Sequence, residues 1–425
     1  MNRVLIIGFL HPFTRSGGSF RTLPLASHLP EFGWEPVVLT PFLFDKTQLP
    51  FQVIETPYQD VLAFWKKLFG FNPDRDVKMQ VKDRFTVGSG ITLANFFLTR
   101  IGEILNYPDS HRGWEPFALE AGINLLEHRQ IDAMISCHPT ISHIIASKLK
   151  AKYKIPWLAD FPDLWSQNHN YAYSSLRRAI DRRLELKTLS AADAVSSVSQ
   201  PWADKLRALH KGKLVYMVTH GFTLEEVNIP PAKLTNKFTI TYTGNIYARK
   251  HGPDKFFAAL RDLILERVIE PNDIEVRFYG EMAGWLEKEI KQYGLSGIVN
   301  LYGQVPKDVA LQKQRESQLL FITKWKDPKE RGAYSGKIFE YLAARRPILA
   351  TDGSHDVVTD LLNETKAGID AQSVRDIKDA FQKLYHDYKQ RGKIAYNGID
   401  SKINKYSHRE MAKKFSEILD YLVPK

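Results

Sequence analysis

Cysteine is almost absent from this chain: among 425 residues, Cys137 is the one cysteine. A lone cysteine excludes an intrachain disulfide, and it excludes metal sites built from several thiolates. A chain without disulfides is suited to a reducing compartment, so we predict a cytoplasmic location.

Long hydrophobic runs are also missing, because no window of about 20 apolar residues is present to span a bilayer. The N-terminus, MNRVLIIGF, reaches a charge-free apolar run that is too short for a signal peptide. We therefore predict a first β-strand there rather than a targeting segment.

Acidic residues are outnumbered: 59 lysines and arginines stand against 48 aspartates and glutamates, which gives a formal net charge of +11. A basic surface favours polyanionic partners such as nucleotides, anionic lipid surfaces or nucleic acid. The charged helix predicted over residues 176–187 has no recognised nucleic-acid-binding module around it, so we predict no nucleic-acid partner.

The apolar pattern indicates an α/β protein, and the length favours two or three domains. Short apolar runs alternate with amphipathic helical stretches, which predicts βαβ units and parallel sheets covered on both faces. The predicted strands cover residues 4–8, 36–40, 133–136, 157–159, 194–198 and 214–218, and then 238–242, 274–279, 299–302, 319–322 and 347–350.

The two series of strands are separated by residues 222–237, which contain two prolines and several charges and which we interpret as an interdomain linker. We predict one α/β domain over residues 1–222 and a second over 238–405. A final amphipathic helix within 406–425 is expected to pack back toward the N-terminal domain.

Residues 61–107 differ from the rest because aromatic and basic residues are mixed there, as in FWKKLFGF at 64–71. One interpretation is that amphipathic helices in this insertion touch a membrane or a lipid-linked acceptor. The alternative is that these helices pack on the sheet, as helices with this pattern usually do.

The most informative stretch is GAYSGKIFEYLAARRPILA, residues 332–350. Its pattern predicts a loop, a short helix that begins near Ser335 and Gly336, and a buried strand after the proline. Lys337 and Glu340 lie on one face near the start of this helix. A helix start with backbone N–H groups, a lysine and a carboxylate suits a ligand that carries both phosphate and hydroxyl groups, such as a nucleotide sugar.

A glycine pair follows the first predicted strand. Gly17 and Gly18 allow a ligand to approach the backbone closely, and Arg21 lies in the first turn of the next helix. The patterns GxGxxG and GxxxxGK[ST] are both absent, so this loop is neither a dinucleotide fingerprint nor a P-loop. The alternative is that the two glycines only make a turn.

Polar residues also follow two later strands of the N-terminal half. His138 lies just past the strand at 133–136, at the kind of strand end where α/β proteins bind ligands. Asp160 and Asp163 are candidates for acid–base catalysis or hydroxyl recognition, or for capping a loop. No cluster with the spacing of metal ligands stands nearby, so we predict no metal site.

A strand in the second half runs into Thr243, Gly244 and Asn245, and a basic loop with Arg249 and Lys250 follows. Cations at this position would neutralise a diphosphate leaving group. The alternative is a solvated basic loop.

Taken in order, these segments resemble the GT-B glycosyltransferases, specifically the retaining group-1, family 4-like enzymes. The similarity spans nearly the whole chain, and SGKIFEYLAARRPILA at 335–350 is its most specific part. The other matching segments are YPDSHRGWEPFALEAG at 107–122, ADFPDLW at 159–165, THGFTLEEV at 219–227 and YTGN at 242–245.

The resemblance implies two facing Rossmann-like domains with parallel sheets, an acceptor-side domain over 1–222 and a nucleotide-sugar-binding domain over 238–405, with the active site in the cleft between them and no metal or other cofactor. It implies that Glu340 contacts the nucleotide ribose and that His138 lies near the reacting sugar, and Asp163 is our second catalytic candidate. The predicted donor-binding residues are Gly17, Gly18, Arg21, Asn245, Arg249, Lys250, Ser335, Gly336, Lys337 and Glu340.

We therefore predict a metal-independent, hexosyltransferase-type enzyme that moves a sugar from a nucleotide-diphosphate sugar to an acceptor hydroxyl with retention. The acceptor is expected to be a glycan or lipid-linked molecule of cell-surface polysaccharide or glycolipid synthesis, met in the cytoplasm or at the anionic inner face of the membrane. One alternative is a nucleotide-sugar epimerase of the same fold. The other is a non-catalytic sugar-nucleotide-binding protein, suggested by Gly332, which stands where the family pattern has a glutamate.

Overall fold

The computed structural model describes residues 1–10, 19–42, 49–61, 63, 67, 103–104, 106–168, 174–224, 232–246, 252–281 and 284–424. The chain divides into two compact units. Unit 1 comprises Met1–Val218 and Ala412–Lys425, and unit 2 comprises Thr219–Met411. No helix in the described ranges is long and apolar enough to cross a membrane.

Unit 1 is built on a seven-stranded sheet in the order β3-β2-β1-β4-β5-β6-β7, with every neighbouring pair parallel. The central strands are continuously apolar because helices cover both faces of the sheet. The strands are β1 (Asn2–Ile7), β2 (Trp34–Pro41), β3 (Gln52–Thr56), β4 (Ala133–Ser136), β5 (Trp157–Phe161), β6 (Ala194–Ser197) and β7 (Leu214–Met217). The helices are α1 (Ser19–His28), α2 (Glu115–His128), α3 (Thr140–Tyr153), α4 (Ser175–Leu189) and α5 (Gln200–Leu209).

Unit 2 contains a six-stranded sheet in the order β10-β9-β8-β11-β12-β13, again with parallel pairs. Its strands are β8 (Phe238–Thr243), β9 (Ile274–Tyr279), β10 (Val299–Gly303), β11 (Leu319–Thr323), β12 (Ile348–Thr351) and β13 (Gly368–Ala371). Its helices are α6 (Asp254–Leu265), α7 (Gly284–Gln292), α8 (Lys307–Arg315), α9 (Lys337–Ala344), α10 (Val357–Thr365), α11 (Val374–Arg391) and α12 (Asp400–Ile403).

The last helix, α13 (His408–Leu422), starts in unit 2 and ends in unit 1. Its unit 1 part is attached to the first half of the chain. Trp34 Nε1 donates a hydrogen bond to Asp420 Oδ1 at 2.9 Å, and the Arg21 guanidinium lies 5.1 Å from the centre of the Phe415 ring. The division between the units falls after Val218, a few residues before the predicted linker.

The predicted fold class is confirmed: both sheets are parallel, and α-helices are described between all successive strands except β2 and β3. The strand order reverses between β1 and β4 in unit 1 and between β8 and β11 in unit 2. Sheets of this kind bind ligands outside the carboxyl ends of the strands at the point of reversal. The residues that follow these four strands are therefore candidates for a ligand-binding site.

Most of the predicted insertion at 61–107 lies outside the described residues. Its interpretation as membrane-contacting or sheet-packing helices stays a prediction.

Candidate functional site

The lysine predicted at the start of α9 lies over the carboxyl end of β8. Lys337 Nζ donates to the Tyr242 hydroxyl at 2.8 Å and lies 4.4 Å from the centre of the Tyr242 ring. Gly244 has φ of +99°, and a Cβ on it would come within 3.1 Å of Lys337 Cε. The Lys337 side chain therefore lies across Gly244. Because Gly244 has no side chain, its backbone stays accessible next to the positive charge of the lysine.

Tyr341, one turn after this lysine, bridges the two strands at the reversal point. The ladder between β8 and β11 pairs Leu319 with Ile240 and Leu320 with Thr241. Beyond these pairs, the Tyr341 hydroxyl accepts a hydrogen bond from Thr243 N–H at 2.9 Å and donates to the Phe321 carbonyl at 3.2 Å. The side chain thus fixes α9 to the sheet next to the predicted site.

The predicted ribose contact, Glu340, is half-buried and accepts a hydrogen bond from Gln314 Nε2 at 3.2 Å. The same amide donates to Thr243 Oγ1 at 2.9 Å, so Gln314 connects the carboxylate to the end of β8. Glu340 also lines a groove of about 160 Å³ between α8 and α9, together with Leu311, Arg315 and Ala343. Its carboxylate is thus next to a space that a ligand group can enter.

Three other predicted donor residues lie at this edge of unit 2. Asn245 accepts a hydrogen bond from Glu281 N–H through Oδ1 at 3.2 Å, and its carbonyl accepts from the Tyr242 hydroxyl at 2.9 Å. Gly336 is exposed, Ser335 is half-buried, and no described side chain caps the start of α9. Asn245 therefore links the loops after β8 and β9, and the start of α9 is uncapped by the part of the chain that the structure describes.

Some predicted positions take no part in the described site. Arg249 and Lys250 lie outside the described residues, as do Gly17 and Gly18. Gly332, at the position of the family glutamate, is buried. Glu330, the nearest glutamate before it, is 5% exposed.

In unit 1, His138 and Asp163 follow β4 and β5, and both are half-buried. Burial raises the pKa of the Asp163 carboxyl, and the positive charge of His138 opposes that rise. No hydrogen bond to the Asp163 carboxylate comes from the described residues. The two predicted catalytic residues therefore follow neighbouring strands, and the charge of His138 acts on the Asp163 carboxyl.

Sequence reasoning missed a further acidic residue here, Asp109. Its Oδ1 accepts from His111 N–H at 2.8 Å and lies 2.9 Å from His111 Nδ1, and its Oδ2 accepts from Ile141 N–H at the start of α3 at 3.1 Å. Burial would raise the pKa of Asp109, but the hydrogen bonds from His111 and the charges of His111 and His138 lower it to about 2. Asp109 lies in the YPDSH segment, where the resemblance indicated a match but no role.

The prediction that Arg21 binds the donor is wrong. Arg21 and Asp160 are fully buried and form an ion pair, with Nε donating to Oδ2 at 2.6 Å and Nη2 to Oδ1 at 3.1 Å. Arg21 Nη2 also donates to the Val218 carbonyl at 2.6 Å, and Ser196 Oγ donates to Asp160 at 2.7 Å. Both side chains join strands of unit 1 and present no surface to a ligand, so Asp160 is not an acid–base candidate either.

Within the described residues, no group of three or more histidine, cysteine, aspartate or glutamate side chains is placed to hold a metal ion.

A second carboxylate at the edge of the unit 2 sheet is strained. Asp352 follows β12, is fully buried and has φ of 63°. Thr351 Oγ1 donates to its Oδ2 at 2.9 Å, whereas Oδ1 has no hydrogen-bond partner among the described residues. Burial raises the pKa of Asp352 from 3.8 to about 6; Asp254 adds to the rise, and Lys326 and Lys255 oppose it.

We expect Asp352→Asn to stabilise the protein at neutral pH. The folded state holds the proton more tightly than the unfolded state, so the stability that Asp352 confers is present below pH 3.8 and is lost as the pH rises through 6. Asparagine has no charge to bury and tolerates a left-handed backbone. Urea unfolding should show that the free energy of unfolding rises by about 3 kcal/mol above both pKa values and does not change below them. Exposed Asp379→Asn is the control, and an Asp352→Asn effect that does not change with pH would contradict the explanation.

Comparison with known proteins identifies the second half of the chain. Residues 237–387 match a family model described as glycosyl transferases group 1. A search of curated proteins found no match.

Solved structures resemble the whole chain. Sucrose-phosphate synthase from Thermosynechococcus elongatus is 13% identical with a TM-score of 0.64, covering 99% of each chain. HepE from Anabaena, solved with UDP and glucose, is 13% identical with a TM-score of 0.64, covering 99% of this chain and 100% of HepE. A glycosyltransferase from Rickettsia africae ESF-5 is 14% identical with a TM-score of 0.61, covering 100% of this chain and 99% of that one. Residues 237–387 are therefore a group 1 glycosyltransferase domain, and the chain has the GT-B fold of the glycosyltransferases that it resembles.

Proposed function

We propose that this protein transfers a sugar from a nucleotide-diphosphate sugar to an acceptor hydroxyl and retains the anomeric configuration. The observation that carries the proposal is the position of Lys337, held over Gly244 at the reversal point of the unit 2 sheet. A diphosphate lying at this edge would meet a positive charge, an open backbone and the start of a helix together. These groups lie within the part of the chain that matches the glycosyltransferase model.

In this proposal, unit 2 binds the donor. Lys337 and the start of α9 neutralise the charge that develops on the leaving diphosphate. Glu340 accepts hydrogen bonds from the ribose hydroxyls, which its half-buried position beside the groove permits. HepE was solved with UDP and glucose, which makes UDP-glucose the first donor to test.

Unit 1 is proposed to supply His138 and Asp163 to the acceptor or the reacting sugar. The bond between the sugar and the diphosphate breaks, and the acceptor oxygen bonds to the resulting oxocarbenium-like centre on the same face. The hydroxyl proton passes to the departing diphosphate, and attack on this face retains the configuration. WaaG, a glycosyltransferase involved in lipopolysaccharide biosynthesis, has the same fold with a TM-score of 0.56, which supports a glycan or lipid-linked acceptor of the cell surface. The reaction is proposed to need no metal.

The proposal is tested by incubating the full chain with UDP-glucose and other nucleotide sugars, with and without glycan and lipid-linked acceptors, in the presence of a chelator. We expect product analysis to show a new glycoside with retained configuration. An isomerised sugar nucleotide formed from the donor alone would favour an epimerase. Tight donor binding without turnover across the acceptors would favour a non-catalytic binding protein.

Glu340→Gln is expected to weaken donor binding about 10- to 100-fold, because a hydrogen bond to a charged group is replaced by one to a neutral amide. Calorimetric titration of UDP measures this loss without requiring an acceptor. Glu287→Gln, at an exposed glutamate of α7 paired with Lys291, removes a carboxylate elsewhere in unit 2 and serves as the control. Equal UDP affinity in the two variants would remove Glu340 from the donor site.

A further inference from the structure

Helix α4 turns three of its charged side chains inward. Arg177, Asp181 and Glu185 are at most 5% exposed. Arg177 Nε donates to Asp181 Oδ1 at 2.8 Å, and Glu185 accepts from Ser166 N–H at 3.0 Å and lies 3.1 Å from His210 Nε2. Buried charges require such partners, so these contacts fix which face of the helix points to the interior of unit 1.

Three large apolar residues of α4 point outward, whereas Leu189 at its end is buried. Leu176 is 70% exposed, Ile180 43% and Leu186 39%. A surface helix of a globular protein normally buries its apolar stripe and exposes its charges. Single exposed apolar residues are common, but three on one short helix form a patch that is typical of a binding surface.

Basic residues lie between these apolar residues on the same exposed face. Arg182, Arg183 and Lys187 are exposed and form no ion pair with any described residue. At 100° per residue, Arg183 and Lys187 fall on either side of Leu176, while Arg182 lies next to Leu186. The two acidic residues of α4 are both buried, so the helix presents only positive charge to the outside.

We propose that the exposed face of α4 docks the protein on an anionic lipid surface. Head-group phosphates complement the positive charge, and Leu176, Ile180 and Leu186 enter the boundary between head groups and acyl chains. Arginine and lysine side chains are long enough to reach phosphates while their stems lie among apolar groups. The basic residues of α4 can therefore bind head groups although they alternate with apolar residues. The proposal concerns membrane attachment and does not depend on the sugar-transfer reaction.

The test is co-sedimentation of the full chain with vesicles of phosphatidylcholine alone, or of equal parts of phosphatidylcholine and phosphatidylglycerol. We expect binding to the anionic vesicles, weakened by salt, and none to the neutral ones. The triple variant Arg182→Gln, Arg183→Gln, Lys187→Gln should bind about 100-fold more weakly, since each basic residue near the surface contributes separately. The double variant Leu176→Ser, Ile180→Ser should also bind more weakly.

The matched control is Arg375→Gln, Lys383→Gln, Lys393→Gln, which removes the same charge from exposed positions of unit 2. It should bind the anionic vesicles like the unmodified protein, and thermal unfolding should confirm that all variants are folded. Equal loss of binding in the two triple variants would show a general charge effect and overturn the role of α4. Absence of binding to the anionic vesicles would overturn the proposal in favour of a protein partner. Self-association that the Leu176→Ser, Ile180→Ser variant abolishes would overturn it in favour of a second copy of the chain.

Discussion

Lys337→Met is expected to lower the rate of sugar transfer by about 100- to 1,000-fold, the usual cost of removing a group that stabilises developing negative charge. Methionine keeps the length and the apolar contact with Tyr242, so the change removes mainly the positive charge over Gly244. The loss should appear in kcat, because the charge on the diphosphate is largest in the transition state. Steady-state rates with UDP-glucose and an accepted acceptor measure it.

Lys291→Met provides the control for Lys337→Met. Lys291 lies on α7 of the same unit and is paired with the exposed Glu287, so its loss removes one positive charge away from the sheet edge. Its rates should match those of the unmodified protein. Undiminished kcat in Lys337→Met would show that the leaving diphosphate is neutralised elsewhere.

Arg21→Met is expected to destabilise the protein by about 3–5 kcal/mol, because it leaves the Asp160 carboxylate buried without its counter-ion. The side chains of both residues are 0% exposed, so water cannot compensate for the loss. Urea unfolding followed by circular dichroism measures the change. The double variant Arg21→Met, Asp160→Leu should recover part of the stability, since no buried charge then remains.

An exposed ion pair provides a comparison for the loss of stability expected from Arg21→Met. Arg207 and Asp204 on α5 are paired at 2.6 Å with side chains 43% and 59% exposed. Arg207→Met should cost about 0–1 kcal/mol, as is usual for surface pairs. If Arg21→Met costs no more than Arg207→Met, the pair of Arg21 and Asp160 is not a structural anchor of unit 1.

Buried strands were predictable from the sequence because a strand covered on both faces is a continuous apolar run. All eleven predicted strands are present, with bounds that agree to within a few residues. The two strands that were not predicted, β3 and β13, are edge strands that are mostly only half-buried. Their mixed composition resembles that of loops, so no apolar run marks them.

The candidate site was predictable only where its residues are near one another in sequence. The spacing of Lys337 and Glu340 placed both at the start of one helix, and the structure has them in the first turn of α9. Their partners, Tyr242 and Gln314, lie 95 and 26 residues away, and no local pattern connects them. Arg21 was placed in the donor site because it lies in the first turn of the helix that follows the glycine pair. Its buried partner is 139 residues distant.

The bridge made by Tyr341 has a consequence for how this protein can tolerate insertions. Its hydroxyl ties α9 to the ends of β8 and β11, and Lys337 lies one helical turn away from it. The position of Lys337 above the sheet is therefore determined by helix α9 and the Tyr341 hydroxyl rather than by the surrounding loops. Loops at this edge can therefore change in length and sequence while the positive charge of Lys337 keeps its place above the sheet.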